Sequence, residues 1–204
     1  MKLTDRPLGK TKLVGGRLFL DFINTVGGRS DVEIIERLDE FEDLLAWSGR
    51  TEILTEAETR NLLKRVPKSE AEAVLRRAID LREALYRLSL AIIAGNNPAS
   101  ADVDSLNREA VIARRHQELT SRADGIFWTW IKEKNAPDKM LWTVADSAAE
   151  FFTDGDLTRL RKCGGDNCAW LFEDTTRNRS RTWCDMKDCG NLAKVRRFRQ
   201  KEAV

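Results

Sequence analysis

Histidine is almost missing from this chain: His116 is the only one among 204 residues. That leaves little room for histidine-based catalysis, and no G-x-S-x-G elbow, phosphate-cradling glycine loop or dinucleotide-binding glycine pattern takes its place. The acids are numerous but fall at the spacing of solvated helical faces, so the chain reads as non-enzymatic. Long apolar runs are missing too, none approaching the roughly 20 residues of a membrane helix. The first residues lack the basic, apolar and small-residue regions of a secretion signal. We therefore expect a cytoplasmic protein with no membrane partner. Cysteine is absent from the first 162 residues, and no C-x-x-C pair occurs anywhere.

What cysteine there is lies together. Cys163 and Cys168 form one close pair, Cys184 and Cys189 another, with fifteen residues between the pairs. Two pairs at this separation suit one tetrahedral four-thiolate zinc site, each pair clamping an edge from a tight turn. Gly164 and Gly165 supply the backbone freedom such a turn needs. Two disulfides would require an oxidising compartment, and unrelated thiols would rarely cluster so closely, so one structural Zn2+ is the preferred reading. With all four positions filled by sulfur the metal has no open site for chemistry.

The same stretch carries Trp170, Phe172, Asp174, Thr176, Arg177, Asn178, Arg181, Trp183, Met186, Gly190, Asn191, Lys194, Arg197 and Arg199 around the cysteines. In this order and spacing they resemble the CGNR zinc finger family. Near the other end, Leu20-Asp21-Phe22-Ile23-Asn24-Thr25 is similar to the opening signature of the ABATE domain, which usually precedes that finger. The resemblance implies a stress-response transcription regulator with a ligand-sensing amino-terminal domain, residues 1–155, and a zinc finger, residues 156–204. One position departs from the family: its arginine after Gly190-Asn191 is Leu192 here. Leu192, Val195 and Phe198 recur every three residues, which predicts an apolar stripe packed towards the zinc core.

Charge supports a nucleic-acid role for the tail. Between Arg159 and Lys201 there are twelve Lys or Arg and five acids, a balance of +7 in a chain whose net charge is +2. A four-thiolate zinc centre carries −2, which still leaves a basic module on an acidic body. Arg177, Arg179, Arg181, Lys194, Arg196, Arg197 and Arg199 are the candidate contacts, suited to phosphates and base edges of DNA. The competing reading is that some of them pair with Glu173, Asp174 or the body, and that Arg177 and Asn178 brace the zinc loops. A single finger buries little surface, so a homodimer or help from the body is expected if DNA is the target. The alternative function is a zinc-stabilised protein-interaction module, or an RNA binder, acting on the transcription machinery.

The body reads as mainly α with a small antiparallel β element. Capping-box patterns at Asp39-x-x-Glu42, Thr55-x-x-Glu58 and Ser69-x-x-Glu72 predict three helix starts. The third opens the longest helix, ended by Gly95 to Pro98. Helices over 101–113 and 138–152 follow, with a hairpin turning at Asp124-Gly125 between them. Trp47, Trp128, Trp130, Trp142 and the Phe151-Phe152 pair are expected to pack, in preference to lining a pocket. The run Leu18 to Val26 fits a buried strand or a short buried helix. It contains Asp21 and Asn24, the candidate contacts of an unidentified small-molecule ligand. The stronger reading has them hydrogen-bond the backbone or cap a neighbouring turn instead.

Overall fold

Helical spacing dominates the middle of the chain, and the computed structural model, which describes residues 3–29, 34–131 and 136–202, follows it closely. The chain is mostly helical with two small antiparallel sheets. The ambiguous apolar run is a helix, α1 (Leu18–Ile23), buried on nearly all sides. Three helices follow: α2 (Phe41–Arg50), α3 (Glu56–Arg65) and the 26-residue α4 (Lys68–Ile93). Of the expected capping boxes, Thr55 with Glu58 is formed as read: Thr55 N–H donates to Glu58 Oε2 at 2.8 Å, and Glu58 N–H to Thr55 Oγ1 at 3.2 Å. The α2 box sits one residue later, with Glu40 N–H on Asp43 Oδ2 at 3.0 Å. For α4 there is no side-chain cap, because Pro67 takes the N-cap and its fixed φ already suits the entry. Gly95, at φ 71°, ends α4 in the left-handed turn that glycine adopts without strain.

α4 is the spine, touching α1, α2 and α5 (Ser100–Arg115). Leu81, Leu85 and Leu88 pack with Phe19, Phe22, Trp47 and Leu141 in the main core. Arg82, only 2% exposed, lies within this interior. Its guanidinium is matched by Glu36 at 2.6 Å and Glu83 at 2.9 Å, which compensates the loss of its hydration. α6 (Lys139–Asp154) lies on α5 and α1 and brings Val144, Ala148 and Phe151 to the same core.

Between α5 and α6 stands the hairpin of β1 (Gln117–Arg122) and β2 (Gly125–Trp130), with Arg122 opposite Gly125. It projects outward. Trp130 and the stacked pair His116 and Trp142, 3.5 Å apart, hold its base. Trp128 was expected to pack on the helices, but it is 53% exposed and its ring instead carries the Arg114 guanidinium at 4.4 Å. No helix among the described residues is long and apolar enough to cross a membrane.

The second sheet joins body to tail. β3 (Leu160–Lys162) pairs with β4 (Leu171–Glu173), Leu160 opposite Glu173. Leu160 and Leu171 point into the main core, so the residue range expected to start a separate finger begins inside the body's packing. Beyond it, a π-helical turn Met186–Gly190 leads into α7 (Asn191–Glu202).

Candidate metal centre

Hydrogen bonds along the tail explain why the four cysteines converge. Cys163 leaves β3, and its N–H bonds Trp170 O at 2.8 Å, so the chain doubles back around Gly164 to Ala169 as a knuckle. Gly165 lies against the centre: a Cβ there would come within 3.1 Å of Cys189 Sγ, so a side chain would push that sulfur aside. Gly164 N–H reaches Thr182 O at 2.9 Å and draws the second pair alongside. Asp185 Oδ1 accepts Lys187 N–H at 2.7 Å, starting the turn that presents Cys189.

The four Sγ atoms lie within 4.8 Å of one another. Cys168 and Cys184 sulfurs are 3.5 Å apart, Cys184 and Cys189 sulfurs 3.7 Å. A tetrahedron with zinc–sulfur bonds of about 2.3 Å has edges of about 3.8 Å, so the donors fit the ion. None of the four is joined in a disulfide. The protein alone favours one thiolate: Cys163 is drawn well below the usual thiol range by hydrogen bonds from Cys168 and Cys184, helped by the Cys184 and Gly165 N–H groups. Cys168 and Cys184 are pushed up by their bonds to that same sulfur. Four thiolates at this spacing need a divalent cation between them, and zinc binding is thereby coupled to proton release.

Two family profiles match. The ABATE profile, described as "Putative stress-induced transcription regulator", covers residues 16–155, and the CGNR zinc finger profile covers 159–202. The chain belongs to the ABATE family. No curated protein matches it. The CGNR finger of this ABATE protein holds one structural zinc ion through the four cysteines.

The finger of this ABATE chain is bolted to its body by pairings that the sequence does not announce. Glu173 N–H donates to Gly15 O at 2.8 Å, Arg17 Nε pairs with Glu173 Oε2 at 2.7 Å, and Trp170 Nε1 donates to Val26 O at 2.8 Å. Lys12 bridges Asp185 at 2.8 Å and Asp188 at 2.5 Å. No sequence signal links these partners, which are separated by more than 140 positions. Asn24 bonds Leu171 through both atoms of its amide, and Asp21 Oδ1 accepts Gly15 N–H at 2.8 Å.

The candidate nucleic-acid contacts divide. Arg181 is half-buried over the Phe172 ring at 4.2 Å and donates to Val14 O at 2.9 Å, Trp183 O at 3.1 Å and Cys184 O. Arg179 bonds Thr158 Oγ1 and Asp156, and Arg196 pairs with Asp166. Arg177, Lys194, Arg197 and Arg199 are exposed and make no ion pair among the described residues. The Lys201 side chain lies outside the described residues.

One expectation fails here. Leu192, Val195 and Phe198 do not pack on the zinc core; they are 61%, 46% and 62% exposed. Among the described residues the main contacts of α7 are with the π-helical turn.

Proposed function

We propose that the protein is a non-catalytic transcription regulator that binds DNA through α7 and the exposed arginine of the zinc loop. The observation that carries this reading is α7 itself. It carries Lys194, Arg197 and Arg199 exposed and without an ion pair among the described residues, an arrangement that suits phosphates of a duplex. Arg177 adds a further cation on the finger. In this reading residues 1–155 form the sensing body and 156–204 the finger, with the response placed where they meet, since Asp21 and Asn24 are bound by the backbone.

The test is fluorescence anisotropy of the zinc-loaded protein on random-sequence duplex DNA over a range of salt. Binding should weaken steeply with salt, and replacing Lys194, Arg197 and Arg199 by Ala should flatten the slope by about 0.9 per lost phosphate contact. Equal binding by the variant would sink the reading.

A second reading, docking of a protein partner, is favoured by the exposed stripe of Leu192, Val195 and Phe198, which phosphate contacts do not explain. Removing the stripe would then abolish partner capture and leave the salt slope on DNA unchanged.

A further inference from the structure

A cleft of about 530 Å³ opens between finger and body beneath α7. Cys168, Cys184 and Cys189 lie on its wall, whereas Cys163 does not. Cys168 and Cys189 are half-buried, so small molecules entering the cleft meet metal-bound sulfur, the nucleophilic thiolate form. Arg37, Arg196 and Arg197 border the same space. Arg37 has no carboxylate partner among the described residues and contacts Thr25 O at 3.4 Å. Asp166 and Asp188 line it too, Asp166 pairing with Arg196, so Arg37 and Arg197 are the cations there without an ion pair among the described residues and suit an oxyanion forming next to the sulfurs.

We propose that Cys168 is a site of oxidation by hydroperoxides and that Cys184 resolves the product to a disulfide. The Cys168 thiolate attacks the terminal oxygen of the peroxide; an S–O bond forms, the O–O bond breaks, and the alkoxide leaves and takes a proton from water. Cys168 is then a sulfenic acid. The Cys184 sulfur, 3.5 Å away, attacks it; the S–S bond forms, the S–O bond breaks, and hydroxide leaves and is protonated. Two thiolates have lost two electrons and the peroxide has gained them. With two of its four donors gone the centre no longer holds its ion, and Cys189, immediately before α7, is let go. The described ion pair of α7 is then Arg196 with Asp166 of the first knuckle, within the finger itself. That last consequence, an oxidant changing how α7 is presented, rests on the regulator reading; the sulfur chemistry does not.

The test treats the zinc-loaded, full-length protein with cumene hydroperoxide, follows the freed metal with a chelating dye, blocks remaining thiols and maps tryptic peptides. Cleavage isolates Cys163–Arg177, Thr182–Lys187 and Asp188–Lys194. The expected product links the first two fragments, with fragmentation placing the bond at Cys168, and one zinc is lost per disulfide. Met186, 49% exposed and within the Thr182–Lys187 peptide, is an internal yardstick of general oxidation. Cysteines still reduced when Met186 has become sulfoxide would overturn the proposal, as would a disulfide between another pair. Ala193 lines the cleft on α7, so Ala193→Trp narrows the entrance without touching a ligand. It should slow disulfide formation several-fold, and an unchanged rate would show that the cleft is not the route. None of these readouts involves DNA, so a failure here is separable from a failure of the regulator reading.

Discussion

Asn24 and Leu171, 147 positions apart, bind each other as two strands would: the Asn24 amide donates to Leu171 O at 2.8 Å and accepts Leu171 N–H at 2.9 Å. A side chain thereby completes the open edge of β4 from the end of α1. Both groups are buried, so the pair is insulated from water. Asn24→Ala strands one donor and one acceptor at about 1–3 kcal/mol each, and the expected loss of folding stability is about 2–6 kcal/mol. Urea unfolding of the zinc-loaded variant measures it. A loss under about 1 kcal/mol would mean that water takes the place of the amide.

Arg181 and Arg199 should separate structure from recognition. Arg181→Ala leaves the carbonyls of Val14, Trp183 and Cys184 without their donor and should destabilise the protein by about 2 kcal/mol or more, with little effect on the salt slope of DNA binding. Arg199→Ala should do the reverse, leaving unfolding within about 0.5 kcal/mol of the parent and flattening the slope. Unfolding curves and anisotropy on the same two variants decide it. If Arg181→Ala lost DNA affinity while keeping its stability, the assignment of roles would be inverted.

Metal removal should not peel the tail off as a unit. A finger that folds by itself would lose all its structure with its zinc, but Leu160 and Leu171 belong to the main core. Hydrogen exchange in the presence of a strong chelator should show amides of 184–202 losing protection while Leu160–Lys162 and Leu171–Glu173 remain slow. The same pattern is expected of Cys184→Ser. Uniform loss of protection over 160–202 would show that the metal organises the hairpin as well.

Asp21 makes stability depend on pH in an uncommon sense. Burial pushes its carboxyl up to about 6, against hydrogen bonds from Gly15 and Val14 that oppose the rise. An unfolded aspartate gives up its proton near pH 4, so between about pH 4 and 6 the folded chain holds more protons than the unfolded one. Asp21's contribution to stability therefore falls as pH rises through that window and is constant above it. Relative to Asp21→Asn, the parent should lose about 2–3 kcal/mol from pH 4 to pH 7, measured by unfolding both proteins side by side. Comparing the two at each pH removes the zinc centre's own pH dependence. A flat difference would place the Asp21 carboxylate in water.

Much of this architecture was legible residue by residue. Thr55 and Glu58 announced a helix start because both halves of the capping bond are local, and the cysteine spacing announced the metal because its geometry fixes the donors. The failures share one cause. Spacing tells which residues of a helix share a face but not whether another element covers that face, so Leu192, Val195 and Phe198 read as core and are exposed. Trp128 misled in the same way, since alternation in β2 does not say that the hairpin stands clear of the helices. Leu18 to Val26 is undecidable from its pattern because a helix buried on nearly all sides shows no broad polar face from which to read a period. The bolts between body and finger, Lys12 to Asp185 and Trp170 to Val26, join positions with no local signature at all.

The distance along the chain between Asn24 and Leu171 also sets an order in time. Ribosomes add about 5–20 residues per second, so the helix bearing Asn24 exists on the order of ten seconds before Leu171 is made. Through that interval the nascent body holds an amide at a surface destined to be interior, with no partner yet synthesised. Docking of Leu171 onto Asn24 thus waits for synthesis of the intervening chain, and a chain cut short before Leu171 would keep that surface open to solvent and to chaperones.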